Sequence, residues 1–292
     1  MRSNETNGII SSLDYKLPSV KLFYYAVLLL LLLVSLVCLL PPLWLFASSL
    51  KDIKEFFQVP PTLIPHSFEL NKLGETWKQL NFTRLYLNTL FITAGSIVFA
   101  VLFNGLAGYF LSVLKPKGSG VLQAVILWTM LLPNTLGIVP IFRNIISFPV
   151  LGINLMNTYW PMWMMAGASA FYVMIFKGFF DKIPSALIEA AKLDGASGLS
   201  IFGRIVMPMS KPIVATIAIF TVNAAWADFF WPYMVLKQKP LWSVTVAIFN
   251  LKGLVPMDIQ FLALTFAIVP PAILFLLFQK YILQGFTFSG MK

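Results

Sequence analysis

Six stretches of this chain run for 21 to 33 residues with almost no charge: 22–50, 85–114, 118–142, 144–176, 212–236 and 259–279, interrupted only by Asp228. A membrane-spanning helix needs about 20 residues that tolerate hydrocarbon. Each stretch therefore predicts one crossing, and the expected fold is all-α, a polytopic integral membrane protein with six transmembrane helices. An even number of crossings puts both termini on one side. The composition agrees, since 59% of the 292 residues are hydrophobic and 11% charged, against about 45–50% and roughly 25% in soluble domains. A water-soluble enzyme and a disordered chain are both excluded. The one cysteine, Cys38, lies inside the first apolar run and permits neither an internal disulfide nor a cysteine metal cluster.

The first run is longer than the roughly 7–15 apolar residues of a secretory signal, so it reads as a retained span. The net charge of +10 fits cations flanking a membrane better than a nucleic-acid surface. With the N-terminus inside, twelve of the 21 Lys and Arg residues fall in inner segments and nine in outer ones. The short, wholly basic Lys115-Pro116-Lys117 turn is the firmer sign of sidedness. This orientation makes 1–21 a cytoplasmic N-terminus, 51–84 a proline-rich extracytoplasmic cap loop, 177–211 a cytoplasmic loop and 284–292 a cytoplasmic tail. All belong to a single transmembrane domain, 1–292.

The loop 177–211 carries the most information. Pro184 and Ser185 suit a helix start, the following residues to Leu193 are mostly good helix formers, and Gly195 can take the left-handed conformation that ends a helix. The expected product is a helix of two to three turns outside the membrane. Leu187, Ala190, Ala191 and Leu193 would form a small apolar ridge, with Glu189, Lys192 and Asp194 around it. Such a ridge suits a groove in another protein. An amphipathic helix lying on the inner leaflet would share this pattern, but the shortness of the segment and its lack of bulky aromatic residues count against it.

Glu189-Ala190-Ala191, Gly195 beyond it, and then Ile205, Met207 and Pro208 resemble the "EAA" loop of the permease subunits of bacterial ABC importers. The family has leucine where Met207 stands, a volume-conserving change. The resemblance covers almost the whole chain and narrows to the maltose-type carbohydrate permeases. It includes Asn88-Thr89-Leu90, Leu193-Asp194-Gly195-Ala196, the segment Trp226-Ala227-Asp228-Phe229-Phe230-Trp231-Pro232 and the tail from Gln284. Ala227 departs from the asparagine usual in the family. The resemblance implies an inner-membrane, binding-protein-dependent importer of an oligosaccharide, with this chain as one half of a heterodimeric pore. Its implied partners are a second permease, two copies of a cytoplasmic ATPase and an extracytoplasmic substrate-binding protein. The loop would be the coupling helix, with Glu189, Ala190, Ala191, Leu193, Asp194, Gly195 and Pro208 serving contact with the ATPase. No cofactor is expected in this chain; ATP and Mg would be bound by the ATPase subunits, because no GxxxxGK[ST] phosphate loop occurs here.

Further candidates lie within the spans. A buried unpaired charge in hydrocarbon is costly, so Asp228 must face protein or water. It is expected either as a structural hydrogen-bond partner or, with Asn223, Trp226 and Trp231, on a substrate path. Tryptophan is also enriched at membrane interfaces, a second reading for both indoles. Pro41-Pro42, Pro133, Pro140, Pro161 and Pro270-Pro271 mark potential kinks. The small residues 166–170 suit close contact with another helix, and a second permease is expected there. His66 has no second ligand near it in sequence, which argues against a metal site. An ion-coupled secondary transporter would need ionisable groups at mid-membrane and often internal repeats, and the single Asp228 near a span end does not meet that pattern. The same residues leave room for an ABC permease of a non-sugar solute or for a non-transporting scaffold.

Overall fold

The computed structural model describes residues 17–60, 62, 64–149 and 151–290. The N-terminal segment 1–16, with Arg2 and Lys16, and the last cation, Lys292, lie outside the described residues. The regular structure among the described residues is helical, its α-helices running in the order α1 (Pro18–Ser49), α2 (Asn71–Gln79), α3 (Phe82–Tyr109), α4 (Ser119–Thr129), α5 (Ile138–Ile146), α6 (Trp160–Ala166) and α7 (Ala170–Phe180). It continues with α8 (Ser185–Leu193), α9 (Gly198–Ile201), α10 (Met207–Met209), α11 (Lys211–Ala227), α12 (Phe230–Val235), α13 (Val244–Leu251) and α14 (Met257–Gly290). Among the described residues, three apolar helices are long enough to cross a bilayer unbroken: Pro18–Ser49, Phe82–Leu114 and Met257–Gln279.

The other three expected crossings are bent or divided. The fourth is the pair α6 and α7, bent by 43°, and the fifth is entered through α9, α10 and α11 with a bend of 82°. The third falls into two shorter apolar helices, Ser119–Thr129 and Thr135–Ile146. Pro133 explains that division, because its ring disfavours helix for the preceding residue and it has no amide proton to give. Pro161 and Pro212 instead occupy first turns of helices, where a missing donor costs nothing. The doublets Pro41-Pro42 and Pro270-Pro271 lie inside helices that continue past them.

Two compact units can be distinguished, residues 1–72 with 256–265, and 73–255 with 266–292. In the first, the apolar window of α1 buries none of its residues, the pattern of a helix whose solvent is lipid. The cap loop and the start of α14 hold a cluster of buried charge. Lys72 Nζ pairs with Asp258 at 2.7 Å and with Glu69 at 3.1 Å, and donates to the Lys51 carbonyl at 2.6 Å. Burial pulls the Lys72 ammonium toward neutrality, but Asp258 and Glu69 outweigh it and hold the pKa above the ordinary lysine value. Nearby, Glu55 accepts from the His66 amide at 2.8 Å.

The second unit is organised around α3, which packs against α11, α7, α6 and α13. Its inward stripe is Thr89, Thr93, Ser96, Ala100, Asn104 and Gly108, all buried and three or four residues apart. Close approach sets the small positions, since a methyl group at Gly108 would lie 2.7 Å from Phe176 Cβ and 3.0 Å from the Lys177 nitrogen. The segment 166–170 serves the same end. It forms the break between α6 and α7, and a methyl at Gly167 would approach the Phe99 carbonyl to 3.3 Å. Its close contact is with α3 of the same chain, where the sequence had suggested a partner.

Asn104 holds this break together. Its side chain is fully buried, donating to the Ala100 carbonyl at 2.8 Å and the Ala166 carbonyl at 2.9 Å, while its oxygen accepts from the Ser169 amide at 2.9 Å. It thus replaces hydrogen bonds that the interrupted helix cannot make. Asn104→Leu should leave one donor and one acceptor unpaired and lower stability by about 2–4 kcal/mol. Thr93→Val should cost less than about 1 kcal/mol, because the Thr93 hydroxyl only bonds back to the Thr89 carbonyl of its own helix. Thermal melts of the detergent-solubilised protein would compare the two, and equal losses would refute the bridging role.

Candidate functional site

Two features qualify as sites, the short helix α8 and a cavity among the spans. Pro184 precedes α8 in an extended conformation, and the helix stops at a complete C-terminal cap. The Ala196 amide donates to the Ala191 carbonyl at 2.9 Å and the Gly195 amide to the Lys192 carbonyl at 3.0 Å, the paired bonds of a Schellman motif. Gly195 has φ +76, a conformation glycine adopts without the Cβ penalty. A methyl group added at Gly195 would find open space, with no non-adjacent residue of this chain within 4 Å.

One face of α8 belongs to the core. Ile188 and Ala191 are buried with Tyr109, Phe176, Phe180, Ile201, Phe202 and Val206. Ala191, expected on the docking ridge, therefore packs inward and anchors α8 to its own chain. The opposite face is open, with Glu189, Ala190, Asp194 and Gly195 exposed, and with Leu187 and Leu193 at 44% and 90% exposure. Pro208 lies exposed at the start of α10. Ser210, at the 82° bend that follows, is fully buried and donates to the Val206 carbonyl at 2.6 Å.

The base of α8 is tied down by charge. Asp181, just after α7, accepts from Ser112 Oγ at 2.7 Å and pairs with Lys177 Nζ at 2.7 Å. These bonds join the end of α7 to the π-helical turn Phe110–Leu114 that extends α3. Partial burial of the Asp181 carboxyl raises its pKa. The hydrogen bonds from Lys177 and Ser112, with the charges of Lys177 and Lys115, outweigh that and hold it below the usual aspartate value.

The cavity measures about 760 Å³ and lies among α3, α6, α7, α11 and α12. Asp228 and Trp231 line it together with Ser96, Tyr172, Thr221 and Met162. Asp228 occupies the break between α11 and α12, where its carboxylate accepts from the Trp231 amide at 3.4 Å and its carbonyl accepts from Thr245 Oγ1 at 2.9 Å. A charge is tolerable there because the chain's own donors and the cavity surround it. The other two expected path residues are elsewhere. Trp226 is buried, stacked edge-on to Tyr86 and donating to the Ala267 carbonyl at 3.2 Å. Asn223 lines a separate, mainly apolar groove between α11 and α14. Ser96, Tyr172 and Thr221 were not expected; the regular spacing of hydroxyl residues along α3 was the signal available for Ser96.

The family model "Binding-protein-dependent transport system inner membrane component" matches residues 104–287. The arabinooligosaccharides transport system permease protein AraQ of Bacillus subtilis (strain 168) is 27% identical over 285 residues, covering 94% of this chain and 98% of the relative. The polygalacturonan/rhamnogalacturonan transport system permease protein YtcP of the same organism is 30% identical over 216 residues, covering 74% of this chain and 73% of the relative. Among solved structures, a chain from a bacterial ABC transporter involved in the import of the acidic polysaccharide alginate matches with a TM-score of 0.77 at 23% identity. The match covers 91% of this chain and 98% of that one, and it shows a shared fold.

The Asp181 contacts predict a pH dependence. A carboxyl whose folded pKa is depressed stabilises the fold above its unfolded pKa, and that contribution is lost as pH falls through the folded value. Asp181→Asn should therefore melt a few degrees lower than the parent at pH 6–8, and the gap should close as the pH is taken below the ordinary aspartate range. A gap that persists unchanged in acid would show that the ionised form is not what stabilises.

Proposed function

The chain belongs to the family of binding-protein-dependent transport system inner membrane components, and from that premise we propose how it works within an ATP-driven oligosaccharide importer. It is a translocation subunit and not an enzyme. Relatives over most of its length are named as permeases for arabinooligosaccharides and for polygalacturonan and rhamnogalacturonan, which supports a carbohydrate cargo. In this reading both termini are cytoplasmic, a second permease completes the pore, and two ATPase subunits hold ATP and Mg beneath it.

The observation that carries the mechanism is the two-faced character of α8. Its open face presents Leu187, Ala190 and Leu193 with Glu189 and Asp194 beside them, while Ile188 and Ala191 are fixed in the core shared by α3, α7 and α11. Closure of the ATPases would push on the open face. The buried face would carry that displacement into the spans, and the 82° bend at Ser210 would turn it along α11. The cavity with Asp228 and Trp231 would alternate between the two sides. Its carboxylate and hydroxyls suit sugar hydroxyl groups, and the indole ring suits the apolar face of a pyranose.

Gly195→Asp separates docking from folding. A Cβ added at this position meets no non-adjacent residue of this chain within 4 Å, and the backbone strain is about 1–2 kcal/mol. The variant should insert at normal levels, recover less ATPase on mild-detergent purification, and show ATP-dependent uptake near background. Full uptake would overturn the docking role of this turn. In the cavity, Asp228→Asn should lower the rate of ATP-driven uptake by about tenfold, the effect of one charge-assisted hydrogen bond. An unchanged rate would remove Asp228 from the path.

A further inference from the structure

A second pocket, of about 300 Å³, lies where α2 meets α3 and the segment 239–251 folds over them. This volume is at the small end of ligand sites. Its polar lining is two cations, Arg84 and Lys239, two carboxamides, Gln79 and Asn81, and the indole of Trp242. Among the described residues no carboxylate lines it. Arg84 is positioned by its Nε, which donates to the Pro240 carbonyl at 2.9 Å, and Asn88 donates to the Pro240 and Trp242 carbonyls at 2.9 and 3.0 Å. With Nε engaged, the guanidinium keeps its two terminal nitrogens for an anion, the fork that matches a carboxylate in two parallel bonds. Lys237, two residues before Lys239, is held elsewhere, donating to the Tyr233 carbonyl at 3.0 Å and lying 5.0 Å above the Tyr233 ring.

The pocket and the cavity already described border one hydrophobic cluster. Trp242 and Trp231 pack on one hydrophobic cluster containing Ile92, Met162 and Val235, and Trp231, Ile92 and Met162 also line the cavity. In the proposed orientation both flanking segments face the extracytoplasmic side, where cargo would arrive. The large cavity carries Asp228 and no cation among its described lining, so of the two it is the smaller pocket that offers an acidic sugar a counter-charge.

We propose that the pocket formed by Arg84, Lys239, Gln79, Asn81 and Trp242 is an entry subsite for the carboxylate of a uronic acid residue in the cargo saccharide. This rests on the oligosaccharide-importer reading and adds the acidic class of the cargo. Arg84 and Lys239 neutralise the carboxylate, the two amides take ring hydroxyls, and Trp242 supplies a flat apolar wall. The captured residue holds the saccharide beside the cluster that borders the cavity, whose Asp228 and hydroxyl groups receive the uncharged parts of the chain as it moves inward.

The test uses the complete importer, both permeases with the ATPase pair and binding protein, in proteoliposomes. ATP-driven uptake is measured for a uronic-acid oligosaccharide and for a neutral one of equal length. Lys239→Gln and Arg84→Lys are compared with the parent; the second keeps the charge and loses the two-bond fork. Each variant should raise the half-saturating concentration of the acidic saccharide by about tenfold and leave the neutral one within about twofold. Equal losses with both cargoes would assign these cations to contact with an acidic face of the binding protein and overturn the subsite. No change with either cargo would overturn it as well. Transport of the neutral saccharide alone would overturn the acidic class while leaving the importer reading intact, and absence of ATP-driven uptake of both by the parent would strike that underlying reading instead.

Discussion

A backbone amide or carbonyl left unpaired in hydrocarbon costs several kcal/mol, and every break in a spanning helix creates such groups. In this chain the break between α6 and α7 is made tolerable by one side chain, Asn104, which supplies a donor to Ala166 and an acceptor to Ser169. The arrangement explains why α3 is buried on a polar stripe. It also explains why α3 must come close, with Gly108 and Gly167 allowing the approach. Once α6 and α7 are fixed on α3, α11 packs on the same helix and the cavity is defined among them.

The same logic governs buried charge within each of the two units. Asp181 joins the ends of α3 and α7 through Ser112 and Lys177, and Lys72 joins Glu69, Asp258 and the Lys51 carbonyl in the cap. Both clusters place a charge where it is partly or largely shielded from water and surround it with specific partners. A change at one partner therefore reaches further than its own contact, because it leaves the other charge unpaired.

The spans and the short helix after Pro184 were legible because their signals are local. Charge-free runs mark the crossings, and the proline, helix-forming and glycine pattern around 184–195 marks a helix and its stop. Pro133 also announced its own break. The break at 167–169 was hidden because no proline lies in it and what sustains it, Asn104, is more than sixty residues away in sequence. Facing was equally hidden. Ala190 and Ala191 look alike in the sequence, but only Ala190 remains on the open surface, since the direction of α8 is set by the core beneath it. Of Asn223, Trp226, Asp228 and Trp231, the last two meet in the cavity; the turn of α11 points Asn223 to another groove, and burial takes Trp226 out of reach.

The closed hydrogen-bond cap of α8 has a further meaning. Its C-terminal turn is closed within the chain, from Ala196 back to Ala191 and from Gly195 back to Lys192, so that end of the helix is shaped without a partner. In the proposed docking, association would carry little ordering entropy for this turn, and the ridge would enter and leave a groove without refolding it. In the proposed coupling a joint of that kind would suit cycling, because little of the contact energy would go into rebuilding the lever.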